Sequence, residues 1–352
     1  MKIEFHPLTR RSLLGLGFPD PYVRYRPGVT ERMFTNAFAV GATTYPSPRP
    51  FALQDRYAGF LRAQAGSTAS VAGENVLFTQ GSVAAIDLLI RAFCEPHTDV
   101  LAASSPTFPV YRQLAIAGDI AFIDVPLAGA FDRLDIERLA EAKAKLIFVC
   151  NPTSPVGSLI PLADIQRLTE ACSGLVVVDE AYIEFADAVS AISLVAPERN
   201  LVVLRTLSKA WGLAGLRVGA AVGPKSVLNA MRVLQDPFAF DTAAQQAVGE
   251  RLSDVPAMRQ WVHAICAERG RLTRELIALP IVRRVFPSVA NFICVQVADA
   301  AAAFKACLEQ DVLANDTWGQ IPASLRISLG SPEDNDRTLA VLRSIPLSRR
   351  DP

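Results

Sequence analysis

One lysine of this chain lies where an amine could do chemistry. Lys209 closes the hydroxyl-rich segment 206–209, and Arg217 follows eight residues later. The apolar runs 201–204 and 218–222 flank this loop and predict two buried strands. The chain has only six lysines beside 29 arginines. An amine beside hydroxyls and a guanidinium suits a Schiff base to a phosphorylated aldehyde, because the amine bonds the aldehyde carbon while the other groups hold the phosphate.

Polar residues follow several predicted strands at the point where each strand ends. The runs 76–79, 146–150, 175–178 and 201–204 are short and continuously apolar, which is typical of a parallel sheet covered on both faces. Ligands of such sheets bind at the carboxyl ends of the strands. We therefore predict that one edge of the sheet gathers the following positions: Gly81, Asn151, Asp179 and residues 206–209.

The remaining sequence patterns predict further strands and helices and divide the chain into an N-terminal arm and two domains. Further strands are predicted at 100–103, 120–125, 282–286, 292–297 and 324–329. Helices are predicted at 81–94, 108–117, 162–172, 227–234 and 301–309, with a long helical segment from about 240 to 278. The predicted parts are an irregular N-terminal arm over 1–45, a large domain over 46–240 and a small domain over 241–352.

Composition excludes several classes of protein. With 51% hydrophobic residues over 352 positions, the chain can bury a large core and is not disordered. The formal net charge of zero gives no sign of a nucleic-acid or membrane partner. The N-terminus is too polar for a signal peptide, and no apolar run has transmembrane length. The six cysteines form no CxxC pair and share no metal-ligand spacing with the three histidines, so we expect free thiols, no metal site and a cytoplasmic location.

Five segments, in their order along the chain, resemble one family. They are residues 81–93, 148–157, 176–185, 204–219 and 325–330. Together they resemble the fold-type I pyridoxal-phosphate enzymes, and most closely the histidinol-phosphate aminotransferases. The resemblance implies an α/β fold with a mostly parallel seven-stranded sheet covered by helices, plus a small α+β C-terminal domain. It also implies pyridoxal 5′-phosphate as cofactor, a homodimer, and amino transfer between a small amino acid or amine and a 2-oxo acid.

The resemblance assigns the chemistry to four residues. Lys209 would form the Schiff base and later move the substrate proton. Asp179 would pair with the pyridine nitrogen, so that the ring accepts electrons; a helix N-cap is the alternative. Tyr182 and Asn151 would donate hydrogen bonds to the phenolic oxygen, and Asn151 would also contact the substrate. The Asn151-Pro152 pair also fits a simple turn.

The resemblance assigns the cofactor phosphate to the start of the helix at Gly81 and to the lysine loop. Helix N-termini and guanidinium groups both bind anions. This chain has Gly81-Ser82-Val83 where the family usually has Gly-Ala-Asp or a close variant. The phosphate-binding residues implied are Gly81, Ser82, Val83, Thr206, Ser208 and Arg217.

Three further residues take roles from the resemblance. Phe108 would stack on the cofactor ring, with burial in the core as the alternative. Tyr45 would reach the phosphate in the other subunit of the dimer, or else be an ordinary surface tyrosine. Arg326, inside an apolar strand, would clamp the substrate carboxylate with two hydrogen bonds.

Two segments depart from the family and leave the substrate open. The family usually has an arginine for the substrate phosphate where this chain has Ala314 or Asn315, and the acidic Asp311 lies nearby. The arm segment 35–41 replaces an Asn-x-Asn-Pro-type segment. The arm arginines would contact substrate or be solvated surface: Arg24, Arg26 and Arg32. We expect an aminotransferase in which the usual arginine for the substrate phosphate is missing, and whether the substrate carries a phosphate stays open.

Other functions with the same motifs stay open at this point. The bond that is broken depends on its orientation to the cofactor ring, so a decarboxylase like the threonine-phosphate enzymes, or an oxidase or cyclase acting on an arginine-like substrate, is the alternative. A non-catalytic cofactor-binding protein would carry a DNA-binding domain, which residues 1–50 do not predict. No Walker loop or Gly-x-Gly-x-x-Gly segment follows a strand, which argues against nucleotide binding.

Overall fold

The computed structural model describes residues 6–10, 45–66, 70–312, 314–317 and 319–346. Most of the predicted arm lies outside these residues, including Arg24, Arg26, Arg32 and the segment 35–41. The strands are β1 (Val76–Gln80), β2 (Val100–Ser105), β3 (Ala121–Pro126), β4 (Leu146–Cys150), β5 (Leu175–Asp179), β6 (Leu201–Thr206), β7 (Val218–Val222), β8 (Val282–Val285), β9 (Phe292–Val297), β10 (Ala314–Asp316) and β11 (Ser324–Ser328). The helices are α1 (Phe51–Ala65), α2 (Gly81–Phe93), α3 (Val110–Ala117), α4 (Ile136–Glu141), α5 (Leu162–Ala171), α6 (Lys225–Leu234), α7 (Thr242–Ser253), α8 (Val255–Ile277), α9 (Ala300–Glu309) and α10 (Pro332–Ser344).

The first sheet has seven strands in the order β1-β7-β6-β5-β4-β2-β3. Strand β7 runs antiparallel to both of its neighbours, and the remaining pairs are parallel. Because β7 runs in the opposite direction, its first two residues lie level with the last residues of β1 and β6. Val218 pairs with Gln80 of β1, and Gly219 pairs with Thr206 of β6. The predicted edge is therefore present, and Arg217 joins it from the other side of the lysine loop.

The central strands are buried on both faces. Every residue of β4, β5 and β6 is buried. Alternate residues of β4 pack into two separate clusters: Ile147 and Val149 on one face, Leu146 and Phe148 on the other. Each buried side chain of this size contributes about 1.5–3 kcal/mol to stability. This two-sided burial explains why the strands are continuously apolar, and the pairing of the strands brings their carboxyl ends to one edge of the sheet.

The second sheet is smaller and antiparallel, in the order β10-β11-β9-β8. Its core joins strand and helix residues, such as Ile293 and Leu325 with Leu272 and Leu339. A small fourth cluster joins this sheet to the large one, because Val156 after β4 packs with residues of the small sheet and its loops, namely Phe286, Cys294 and Ile321. These two sheets and their helices confirm the predicted fold class. The domain boundaries at 45 and 240 stay predictions.

Some elements differ from the sequence-based prediction. The long helical segment is two helices, because Asp254 ends α7 and caps α8 by accepting a hydrogen bond from the amide of Ala257 (3.1 Å). Helices α1, α4 and α10 and strand β10 were not predicted; α10 begins with a capping box at Ser331 in a strongly polar segment that gives little hydrophobic periodicity. No described helix is long and apolar enough to cross a membrane.

Candidate active site

The start of α2 and the lysine loop form a cradle for an anion. Gly81 opens α2 with no side-chain cap and no acidic residue in the first turn, so the first amides of the helix are available to an anion. The guanidinium of Arg217 lies against Gly81, and its Nη1 donates to the Ser208 hydroxyl at 3.5 Å. The Thr206 hydroxyl accepts from the Ser208 amide at 3.2 Å and so fixes the turn. Ser82 and Val83 lie in the first turn of α2.

Two glycines permit this close approach. A Cβ atom at Gly81 would lie 2.7 Å from Nη2 of Arg217, and Gly81 has a positive φ of 75°. A Cβ atom at Gly219 would lie 2.5 Å from the amide nitrogen of Ser82 and would also collide with the carbonyl of Gly81. Gly219 therefore lets strand β7 pass directly behind the start of the helix, where a side chain would push the cradle apart.

Lys209 lies in the same loop, with its amine facing Tyr182. Its Nζ is 5.7 Å from the centroid of the Tyr182 ring. The residue as a whole is exposed. Desolvation of the amine is the largest effect that lowers the pKa of Lys209, and the positive charges of Arg326 and Arg217 lower it further. The negative charge of Asp179 raises this pKa in part. A depressed pKa raises the fraction of neutral amine, which is the form that attacks carbonyl carbon and accepts protons.

Asp179 ends β5 in a buried position beneath this loop. Its Oδ2 accepts a hydrogen bond from the hydroxyl of Tyr111 at 2.7 Å, and its Oδ1 accepts from the amide of Ala181 at 3.2 Å. Burial raises the pKa of Asp179 to about 6, although both hydrogen bonds and the charge of Lys209 lower it. The carboxylate is thus partly stabilised by its neighbours, and a cationic partner would stabilise it further.

Arg326 on β11 of the small sheet and Tyr182 after β5 of the large sheet both lie against the ring of Phe292. The Arg326 guanidinium carbon is 5.0 Å from the Phe292 ring centroid, and Nη1 donates to the Ser154 hydroxyl at 3.3 Å. The Tyr182 ring meets Phe292 edge to face at 4.9 Å. Burial raises the pKa of Tyr182 to about 12, so the phenol is neutral and able to donate a hydrogen bond. Ser154 and Phe292 therefore orient the predicted carboxylate clamp.

Asn151 is buried after β4, and its side chain already has backbone partners. Its Oδ1 accepts from the amide of Ile160 at 2.8 Å, and its Nδ2 donates to the carbonyl of Ile160 at 3.1 Å. An amide nitrogen carries two hydrogens. Asn151 therefore fits both of its predicted roles. It orders the loop between itself and Ile160, as a turn residue would, and it keeps one N–H that can donate to a ligand.

Phe108 lies in the loop after β2, half-buried at the start of α3. Its ring meets Tyr111 edge to face at 5.7 Å. The preceding residue, Thr107, is held by Gln320 from the small sheet: the Thr107 amide donates to Oε1 of Gln320 at 2.6 Å, and Nε2 of Gln320 donates to the Thr107 carbonyl at 2.9 Å. The predicted stacking residue is thus fixed by contacts from both halves of the molecule.

The structure decides which residue faces the site where an arginine was expected. Strand β10 pairs with β11 so that Asn315 lies directly opposite Arg326. Residues opposite each other in an antiparallel pair project to the same face. Ala314 points the other way, into the core of the small sheet. Asn315 is therefore the position beside Arg326, the predicted carboxylate clamp, and Ala314 is a core residue.

Tyr45 lies just before α1 and pairs with an aromatic residue of its own chain. Its ring centroid is 4.5 Å from that of Phe238, and 44% of its surface is exposed. An exposed tyrosine beside a half-buried phenylalanine is compatible with a contact to a second subunit. The role of Tyr45 in another subunit's site stays a prediction.

Sequence reasoning missed three residues that shape the site: Tyr111, Gly219 and Gln320. Tyr111 follows Phe108 by three residues across the start of α3, and that spacing could have shown that the two rings lie close together. Gly219 interrupts the apolar run of β7, a signal of close backbone approach. Gln320 lies in an irregular loop, so no sequence pattern indicated its long-range contact.

Comparison with known proteins decides the family. The family model described as aminotransferase class I and II matches residues 38–342. The chain belongs to this family. As an aminotransferase it acts on small molecules, and the expectations of a transferase and of a fold-type I enzyme are confirmed.

Named relatives of this aminotransferase agree with the match. A histidinol-phosphate aminotransferase of Xanthomonas campestris pv. campestris (strain B100) is 39% identical over 312 residues, covering 85% of this chain and 84% of that protein. The structure of histidinol-phosphate aminotransferase from Sinorhizobium meliloti in complex with pyridoxal 5′-phosphate gives a TM-score of 0.72 at 23% identity, covering 85% of this chain and 82% of that one. The L-threonine-O-3-phosphate decarboxylase of Porphyromonas gingivalis gives a TM-score of 0.70 at 23% identity, covering 86% and 90%. At such identities the two structures show a shared fold only.

The cofactor of this aminotransferase is pyridoxal 5′-phosphate, and the site offers groups suited to each part of it. The uncapped start of α2 and the Arg217 guanidinium suit the phosphate. The buried carboxylate of Asp179 suits a protonated ring nitrogen. Lys209, with a lowered pKa, suits the aldehyde carbon. The donor set therefore fits the cofactor.

Proposed function

We propose that this chain is an aminotransferase of the histidinol-phosphate type, which moves an amino group between an amino acid or related amine and a 2-oxo acid. One observation carries the proposal. A lysine amine with a lowered pKa lies between an anion cradle on the large sheet and an arginine clamp on the small sheet. The identity to histidinol-phosphate aminotransferases over most of the chain supports it.

In this proposal each group has one task. The bound cofactor supplies an aldehyde that combines with amines and a ring that withdraws electrons from the substrate α-carbon. Asp179 keeps the ring nitrogen protonated by pairing with it. The Nζ of Lys209 would take the proton from the substrate α-carbon and return it to the carbon that the cofactor's aldehyde supplies. Tyr182 and Asn151 donate hydrogen bonds to the phenolic oxygen, and Phe108 covers the ring.

Arg326 binds the carboxylate that amino donor and acceptor share. Its guanidinium lies over Phe292 and bonds Ser154, so two neighbours orient it before substrate arrives. A planar guanidinium binds a carboxylate through two parallel hydrogen bonds. That geometry orients the α-carbon toward Lys209, whose Nζ shares the Tyr182 ring as a neighbour.

The residue beside the clamp favours a substrate without a phosphate. Asn315 lies opposite Arg326 and offers hydrogen bonds but no positive charge. A phosphate dianion is held best by several charge-assisted donors. We therefore propose that the group next to the carboxylate is neutral or weakly polar.

The same proposal extends to assembly and location. Tyr45 would complete the phosphate site of a second subunit in a homodimer, supported by its exposed position beside Phe238. A cytoplasmic location is supported by six cysteines that are all free, five of them buried.

Lysine labelling tests the cofactor assignment. Reduction of the protein with borohydride in the presence of pyridoxal phosphate, followed by peptide mass spectrometry, should place the modification on Lys209. Lys209→Ala should lose both the modification and the visible absorption of the bound cofactor. The control Lys225→Ala removes a surface lysine paired with Glu74 and should keep both. Labelling of another lysine in the wild type would contradict the assignment.

A donor panel tests the reaction. Purified protein is supplied with 2-oxoglutarate and a set of amines that includes histidinol phosphate, histidinol and common amino acids. We expect glutamate formation that depends on the oxo acid and favours a donor without phosphate. Release of carbon dioxide or peroxide without any oxo acid would instead indicate a decarboxylase or an oxidase. Efficient turnover of histidinol phosphate would contradict the inference from Asn315.

A further inference from the structure

Tyr111 is fully buried in the first turn of α3, with its ring fixed on two sides. It stacks on Phe148 with ring centroids 4.6 Å apart and an angle of 18° between the planes. Phe108 meets it edge to face at 5.7 Å. Because both neighbours are aromatic and the residue has no exposed surface, packing alone determines where the hydroxyl points.

The hydroxyl points at one carboxylate. The oxygen of Tyr111 lies 2.7 Å from Oδ2 of Asp179. Burial raises the pKa of Tyr111 well above its ordinary value, so the phenol keeps its proton and is the donor. The amide of Ala181 donates to the other oxygen, Oδ1, at 3.2 Å. The carboxylate of Asp179 is therefore held at both oxygens.

The other groups around Asp179 do less to stabilise its charge. Lys209 is the cation that lowers its pKa, and it does so less than either hydrogen bond. Cys150 and Tyr182 also face this carboxylate, and burial raises the pKa of both, so both are neutral. Among these neighbours the Tyr111 hydroxyl opposes the cost of burial most strongly.

We propose that Tyr111 is a positioning residue, whose hydroxyl keeps Asp179 ionised and oriented for the ring nitrogen of the cofactor. The inference rests on the proposed function, because that proposal pairs Asp179 with the ring nitrogen. A hydrogen bond to a buried carboxylate favours its ionised form. An uncharged Asp179 would be unable to hold the ring nitrogen in its protonated form, and the ring would withdraw electrons less strongly.

Tyr111→Phe tests this in the protein without cofactor. The variant keeps the stacked ring and removes only the hydroxyl. The titration of Asp179 is followed by carbon NMR with labelled aspartate and assigned with Asp179→Asn. We expect the wild-type midpoint near pH 6 and a rise of about one to two pH units in Tyr111→Phe. An unchanged midpoint overturns the proposal.

Tyr57→Phe is the matched control. Tyr57 is also fully buried, and its hydroxyl has no hydrogen-bond partner among the residues that the structure describes. The chemical change and the burial are the same, but no carboxylate loses a donor. We expect the Asp179 midpoint in this variant to match the wild type. An equal shift in both variants would indicate a general effect of a lost buried hydroxyl and would overturn the proposal.

Cofactor binding provides the second readout. The dissociation constant of pyridoxal phosphate is measured against pH for the wild type, Tyr111→Phe, Asp179→Asn and the double variant. We expect Tyr111→Phe to weaken binding about tenfold at neutral pH, and the double variant to bind no more weakly than Asp179→Asn. Additive losses would show that Tyr111 acts independently of Asp179. If the wild type bound no cofactor, the proposed function would fail, and the titration without cofactor would still decide the role of Tyr111.

Discussion

Gln320 binds the backbone of Thr107 through a matched pair of hydrogen bonds, donor to acceptor in both directions, at 2.6 and 2.9 Å. The two residues are 213 positions apart and lie in loops next to the two different sheets. Thr107 directly precedes Phe108. Gln320 lies in the loop between β10 and β11, and β11 is the strand that contains Arg326. The loop that holds Phe108, the predicted stacking residue, and the strand that holds Arg326, the predicted carboxylate clamp, are thus joined by one side chain.

Removing this side chain should loosen both loops. Gln320→Ala loses two hydrogen bonds, which together contribute about 1–3 kcal/mol. We expect faster amide exchange at Thr107 and Phe108 and a higher KM for the amino donor, with kcat changed less. Gln166→Ala is the control, because it removes a single hydrogen bond to Glu170 on helix α5. Equal exchange in Gln320→Ala and wild type would show that the pair does not hold the loop.

A cation at position 315 should change substrate preference. Asn315→Arg places a second guanidinium on the strand position opposite Arg326. A charge-assisted contact to phosphate contributes about 1.5–3 kcal/mol, so we expect kcat/KM for phosphorylated amines to rise about 10- to 100-fold relative to donors without phosphate. Gln166→Arg adds the same charge on α5 and should leave the preference unchanged. A similar gain in both variants would indicate long-range attraction only.

A side chain at position 219 should disrupt the anion cradle. Gly219→Ala introduces a Cβ atom 2.5 Å from the amide nitrogen of Ser82, inside backbone that a buried sheet holds in place. We expect the variant to lose cofactor affinity by more than about tenfold and to lose stability by about 1–3 kcal/mol. Gly215→Ala is the control, because nothing lies within 4 Å of its added carbon. Normal cofactor binding by Gly219→Ala, measured by absorption titration, would contradict the close approach.

The carboxylate of Asp179 should make the protein without cofactor less stable as pH rises. Its pKa is raised from 3.8 to about 6 in the folded state. The folded protein therefore binds more protons than the unfolded chain between pH 4 and 6, and the free energy of unfolding falls across this window. The shift corresponds to about 3 kcal/mol. Asp179→Asn should remove this dependence and be more stable than wild type at pH 7, as measured by urea unfolding.

Asp164 provides the contrast for that measurement. It is as buried as Asp179, but Arg167 binds it at 2.7 Å and Arg133 lies 3.8 Å away. Replacing a buried carboxylate that has cationic partners removes the ion pairs that stabilise it, here those with Arg167 and Arg133. We expect Asp164→Asn to be less stable than wild type at pH 7. Should both variants change stability in the same direction, the two carboxylates would not differ in the way that their neighbours indicate.

The sequence predicted the large sheet well because its strands carry strong signals. Strands buried on both faces are continuously apolar, and the polar residues at their ends were therefore easy to locate, as with Asp179 at the end of β5. Signals were weak where structure depends on distant partners. Helix α1 packs its buried residues against the large sheet, yet its hydrophobic periodicity is poor. Tyr111, Gly219 and Gln320 act through contacts with residues far along the chain. The sequence around Tyr111 and Gly219 indicates a close neighbour without identifying that distant partner, and no pattern indicates the contact of Gln320.

The antiparallel course of β7 has one more consequence. Lys209 and Arg217 belong to a single connection between two neighbouring strands, β6 and β7, while Arg326 belongs to the other sheet. Any rotation of one sheet relative to the other would change the distance from Lys209 to the carboxylate clamp and leave its distance to the anion cradle as it was. Such a rotation would thus move the predicted substrate clamp and leave the predicted cofactor site intact.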